Sequence, residues 1–170
     1  MIYLDNAATT KPSKAAVDAM IKAAECFGNP SSLHGLGIEA EKLINESKKN
    51  IADMLGVESK NILFTSGGTE ANNLAVFGVA AARNKIGTKI VTSKIEHPSV
   101  LEAFRKLEID GFNVEYLDVD SEGRVDLDML RNVLDDETIL ISVMHVNNET
   151  GVIFPIEEMA QIAHEKGILF

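Results

Sequence analysis

Five apolar runs, "NILF" at 61, "KIVT" at 89, "NVEYLDV" at 113, "TILISVM" at 138 and "ILF" at 168, start at intervals of 28, 24, 25 and 30 residues. No other feature of the 170-residue chain narrows its fold so far. A hairpin returns within a few residues, whereas each interval here has room for a strand, a helix and two loops, the length of a crossover between parallel strands. Residues 61–170 are therefore expected to form an α/β unit in which helices cover a parallel sheet. The periodicity between the runs agrees. Leu74, Phe77 and Ala81 share one helical face, as do Val100, Leu101, Phe104 and Leu107, and then Ile156, Met159, Ala160 and Ala163.

The first third differs in character. Residues 14–25 and 36–55 read as helices, the second with Leu36, Ala40, Leu43, Ser47, Ile51 and Met54 three or four apart, and the breaker-rich "FGNPSSLHG" lies between them. A boundary near Gly56 divides the chain into a helical segment, 1–56, and an α/β segment, 57–170.

In open parallel sheets, ligands sit outside the carboxyl ends of the strands, where strand-to-helix loops and helix N-termini gather. Three such loops are expected on one edge: "SGGTE" after the first run, "KIEHP" after the second and "HVNNETG" after the fourth. In the first, Gly67 and Gly68 let a large anion approach unpaired backbone N–H groups at a helix start, and Thr69 adds a hydroxyl donor. The same residues equally make a capped turn. Neither the Walker spacing nor the G-x-G-x-x-G fingerprint is present, which disfavours ATP and NAD. His97 precedes Pro98, a residue suited to the first helical position, so its imidazole is either a cap or a functional group at the ligand edge. Asn147, Asn148 and Glu149 end the most apolar run as a turn, or aim an amide at a ligand oxygen.

Composition excludes other classes. A formal charge of −10, with no Lys/Arg cluster to offset it, disfavours nucleic acid and anionic lipid. No apolar run approaches the roughly 20 residues of a membrane span, and residues 1–10 lack the features of a signal peptide, so a cytoplasmic location is expected. The single cysteine, Cys26, rules out an internal disulfide, and with no adjacent base it reads as a small apolar residue rather than a nucleophile. The four histidines are scattered without metal-ligand spacing, so no metal is expected.

Taken in order, "YLDNAATT" (3–10), "GNPSSLHGLG" (28–37), "FTSGGTEANN" (64–73), "IEHPSV" (95–100) and "MHVNNETGVIFPI" (144–156) resemble the cysteine desulfurases of the NifS and IscS type. These belong to the fold-type I, aspartate-aminotransferase-like class of pyridoxal phosphate enzymes. The resemblance spans the whole chain. It implies a truncated parallel-sheet large domain, 57–170, preceded by an N-terminal helical segment, 1–56, that belongs to the small domain and linker. It also implies conversion of L-cysteine to L-alanine. On the same resemblance, sulfur would be held as an enzyme persulfide and passed on for iron–sulfur cluster or thio-cofactor biosynthesis. Gly68 and Thr69 match the family's positions for the cofactor phosphate, His97 the histidine that stacks on the pyridine ring and moves protons, and Asn148 the asparagine near the phenolic oxygen. A homodimer and a sulfur-acceptor or scaffold protein are the implied partners.

The family pattern continues beyond a strand like "GILF" with an aspartate for the pyridine nitrogen and a Ser-x-His-Lys stretch whose lysine forms the Schiff base. It also carries a substrate-carboxylate arginine and a mobile-loop cysteine, a role that Cys26 stands in the wrong region to fill. No stretch of these 170 residues matches those motifs, so the chain alone is expected to be an inactive N-terminal portion, prone to association through an open sheet edge. The alternatives are a noncatalytic module that keeps the phosphate pocket, a selenocysteine lyase portion, and another β-eliminating or transaminating member of the class.

Overall fold

The structure, a computed structural model, describes residues 2–170. The chain falls into two compact units, Met1–Phe64 and Thr65–Phe170.

The first unit is helical. Ser13 caps α1 (Lys14–Glu25) by accepting a hydrogen bond from the Ala16 amide at 3.2 Å. After the loop comes α2 (Gly35–Leu55), which stops where Gly56 adopts φ +67°. The loop backbone packs so tightly against the first turn of α2 that a Cβ at Gly37 would lie 2.1 Å from the Ser32 carbonyl oxygen, which explains why glycine stands there. A 3₁₀ turn at Ser59–Asn61 follows.

The expected first strand is not formed. Residues 62–64 have no ladder partner, with Leu63 and Phe64 exposed. A strand exists only by pairing, and these residues lie in the helical unit, which among the described residues contains no strand for them to join.

The second unit runs α3 (Gly68–Arg83), β1 (Lys89–Ser93), α4 (Pro98–Ile109), β2 (Asn113–Leu117), α5 (Leu127–Val133), β3 (Thr138–Ser142) and α6 (Ile156–Glu165). The sheet has the order β2-β1-β3 with both pairs parallel, as the crossover lengths require. The last apolar run contributes one parallel bridge, Leu140 to Leu169, rather than a full strand, with the Ile141 amide donating to the Leu169 carbonyl at 2.8 Å. Helix α5 has no marked apolar period in the sequence. Its signal is Asp126, whose carboxylate accepts from the amides of Asp128 and Met129 at the helix start.

Strand order explains why the sheet is covered on both faces. The chain steps one way from β1 to β2 through α4, then back past β1 to β3 through α5. Crossovers of constant hand therefore put α4 and α5 on opposite faces. Val76 and Ala80 of α3 join Val100, Ala103, Phe104 and Leu107 of α4 against Ile90 and Ile139. On the other face Leu130 of α5 joins Met159, Ile162 and Ala163 of α6 against Val91, Leu117 and Ile141. Among the described residues no helix is long and apolar enough to cross a membrane.

Candidate functional site

The loop after β1 leads to α4 on one face, and the loop after the neighbouring β3 leads to α6 on the other. Loops that diverge in this way open a crevice outside the carboxyl ends of the two strands, the usual ligand position in open α/β sheets. An open cleft of about 900 Å³ lies there. Ile95 to Pro98 form one wall, Asn147 to Thr150 another, and Val119 to Gly123, following β2, the third. His97 and Asn148 thus share one cleft.

Two ties hold the walls together. Glu96 is buried, and one carboxylate oxygen accepts from the Ser93 hydroxyl at 2.7 Å and from the Met144 amide at 2.9 Å, joining the end of β1 to the segment after β3. Burial raises its pKa above the ordinary glutamate value, partly opposed by the bonds from Met144 and Ser93. Asn147 is also buried and supplies the second tie. Its amide nitrogen donates to the Ile95 carbonyl at 3.2 Å, while its side-chain oxygen accepts from the amides of Glu149 and Thr150 at 2.9 Å each. A bridge between Val146 and Ile153 closes the segment into a small hairpin with Asn148 at its tip. Of the neighbouring asparagines, Asn147 is consumed by the scaffold and Asn148 is left exposed on the cleft.

His97 caps α4. Its Nδ1 accepts from the Ser99 amide at 3.1 Å and lies 2.7 Å from the Ser99 hydroxyl. Gly68 and Thr69 do not line the cleft. They open α3, whose first turn is connected to His97 through Asn72, the side-chain amide of which donates to the Ser99 hydroxyl at 2.9 Å. The amides of Gly68, Thr69 and Glu70 find no acceptor among the described residues. Glu70 does not occupy the space before them. Its carboxylate turns back to the Ser66 amide and hydroxyl, both at 2.6 Å, and these bonds, the hydroxyl's first, lower its pKa.

No contact or backbone angle among the described residues calls for glycine at 67 or 68. Neither has φ in the left-handed region, and a Cβ on either would meet no protein atom within 4 Å. The empty volume lies in front of free amides and the positive end of a 16-residue helix, which suits a phosphate.

Glu96, Ser99 and Asn72 carry no signal of these roles in the sequence, because their burial and their partners 48 and 27 residues away are set by the fold.

Residues 2–170 match the aminotransferase class-V family model. The chain is 51% identical over 172 residues to a cysteine desulfurase IscS from Dictyoglomus turgidum, covering 99% of this chain and 43% of the relative. It is 46% identical over 170 residues to a putative cysteine desulfurase IscS 1 from Bacillus subtilis, covering 99% and 45%. Among solved structures, a NifS-like protein superposes with a TM-score of 0.93 at 40% identity, over 98% of this chain and 46% of that one. The apo cysteine desulfurase from Thermococcus onnurineus NA1 does so with a TM-score of 0.89 at 34% identity, over 99% and 42%. The chain therefore spans a little under half the length of these relatives.

Proposed function

The chain belongs to the class-V aminotransferase family, and from that premise we propose that it builds the pyridoxal 5′-phosphate pocket of a cysteine desulfurase. The reaction would take sulfur from L-cysteine, as the relatives' names suggest, and leave L-alanine, as the family resemblance implies. The observation that carries the proposal is the crevice at the reversal of strand order, where His97 and Asn148 share a cleft. The open glycine turn at the start of α3, tied to His97 through Asn72 and Ser99, suits the cofactor's phosphate.

The residues divide the work by their chemistry. Free amides at Gly68 and Thr69, the Thr69 hydroxyl and the helix dipole would hold the phosphate. The His97 imidazole would face the ring and hold or move a proton at Nε2, the nitrogen not engaged by Ser99. The Asn148 amide would donate to the phenolic oxygen, while Asn147 and Glu96 tie the walls of the cleft together. When bound, the cofactor supplies an electron sink for the substrate carbon. A homodimer, a sulfur-acceptor protein, a cytoplasmic location and a role in iron–sulfur or thio-cofactor biosynthesis belong to the same proposal.

Titration with pyridoxal 5′-phosphate, followed by absorbance, tests it. Binding that His97→Ala and Asn148→Ala both weaken is expected. Binding indifferent to both substitutions would remove the proposal.

A further inference from the structure

Ser99 is buried at the second position of α4 and stands between two partners on different elements. Asn72, from the first turns of α3, donates its side-chain N–H to the Ser99 oxygen at 2.9 Å. The only hydroxyl hydrogen of Ser99 is then free to point at His97 Nδ1, 2.7 Å away. The Ser99 backbone amide, at 3.1 Å, has the same target. A nitrogen approached by two donors must present its lone pair, so it cannot also carry a proton.

We propose that Ser99, oriented by Asn72, is a positioning residue that keeps His97 in the tautomer protonated at Nε2, so that the cleft always meets a ring N–H. Helix capping alone requires just the Ser99 amide bond, which any residue supplies. The hydroxyl and its Asn72 partner add nothing to the cap. They act on the imidazole, and they run between the helix whose first turn holds the glycine cradle and the histidine. Among the described residues no charged side chain hydrogen-bonds to Asn72 or Ser99. The direction of this relay is fixed by a donor of the α3 side chain, which makes that direction reversible by a single isosteric change. The catalytic meaning of the arrangement rests on the function proposed above, whereas the tautomer does not.

The test is histidine imidazole ¹⁵N–¹H correlation spectroscopy of the whole protein at about pH 9, where neutral rings dominate, with His97 assigned from a His97→Gln variant. The wild type is expected to show a pyrrole-like Nε2 and a pyridine-like Nδ1. Ser99→Ala is expected to move the tautomer ratio about fivefold toward the ordinary mixture, the value of one neutral hydrogen bond. Asn72→Asp should do the same while preserving shape, because a carboxylate takes the hydroxyl hydrogen away from Nδ1. Ser99→Thr restores the wild-type spectrum. A ring with its proton on Nδ1, or a ratio unmoved by both Ser99→Ala and Asn72→Asp in folded protein, overturns the proposal. Pyridoxal 5′-phosphate is then added to the wild type. If it leaves His97 unperturbed, the cofactor function fails and the relay's catalytic meaning with it, whatever the tautomer. If it shifts His97 while the variants change nothing, the relay alone fails.

Discussion

Replacing Glu96 separates the account's scaffold from its chemistry. In Glu96→Ala the Ser93 hydroxyl, fully buried, and the Met144 amide, half-buried, lose their shared acceptor. Each such donor left unsatisfied costs about 1–3 kcal/mol, and loss of a desolvated carboxylate returns part of that, so a net loss of about 2–3 kcal/mol is expected. Glu96→Gln keeps an oxygen for both donors and removes the charge, and should fall within about 1 kcal/mol of wild type near neutral pH. The pH dependence has a definite sign. Burial raises the folded-state pKa above the ordinary 4.5, so the folded chain binds this proton more tightly than the unfolded one. The cost of the buried charge is absent below the ordinary value and grows as pH rises through the raised one. Wild type should therefore lose stability relative to Glu96→Gln as pH climbs from about 4 to about 7. Urea unfolding of the three proteins across that range measures it. A Gln variant as damaged as Ala, or a wild-type to Gln difference that does not change with pH, would refute the reasoning.

The two asparagines should behave oppositely. Asn147→Ala removes the tie to Ile95 and two amide acceptances, lowering stability by about 2–3 kcal/mol in urea unfolding. Asn148→Ala should leave stability within about 0.5 kcal/mol while weakening cofactor binding, since Asn148 is exposed at the hairpin tip. Gly68→Asp places an acid at the start of α3 in open space, so it should hold or raise stability by about 0.3–1 kcal/mol. The same variant should bind pyridoxal 5′-phosphate at least about tenfold more weakly by titration, a difference of about 1.4 kcal/mol.

The parts of the fold that follow from period and spacing were legible. Alternating runs at 89, 113 and 138 became three parallel strands because crossovers of that length leave no other pairing. The run at 61 misled because "NILF" has strand composition but no partner in its own unit, and pairing is not a local property. Helix α5 escaped notice because seven residues are too few to establish a period, although its Asp126 cap was in plain view. At the site, His97 and Asn148 were legible as polar residues closing strands. What was not legible is the division of labour beside them. Nothing in "NNE" says which amide is buried, and nothing in "IEHPS" says that the glutamate and the serine reach other segments 48 and 27 residues away.

The measurement closest to the central claim is a backbone amide and imidazole chemical-shift titration with pyridoxal 5′-phosphate, run beside pyridoxal lacking the phosphate. The account predicts that the phosphorylated form shifts the amides of Gly68 and Thr69 together with His97 and Asn148, and that pyridoxal binds more weakly and spares Gly68 and Thr69. Shifts confined to residues outside this set, or equal binding of both compounds, would contradict it.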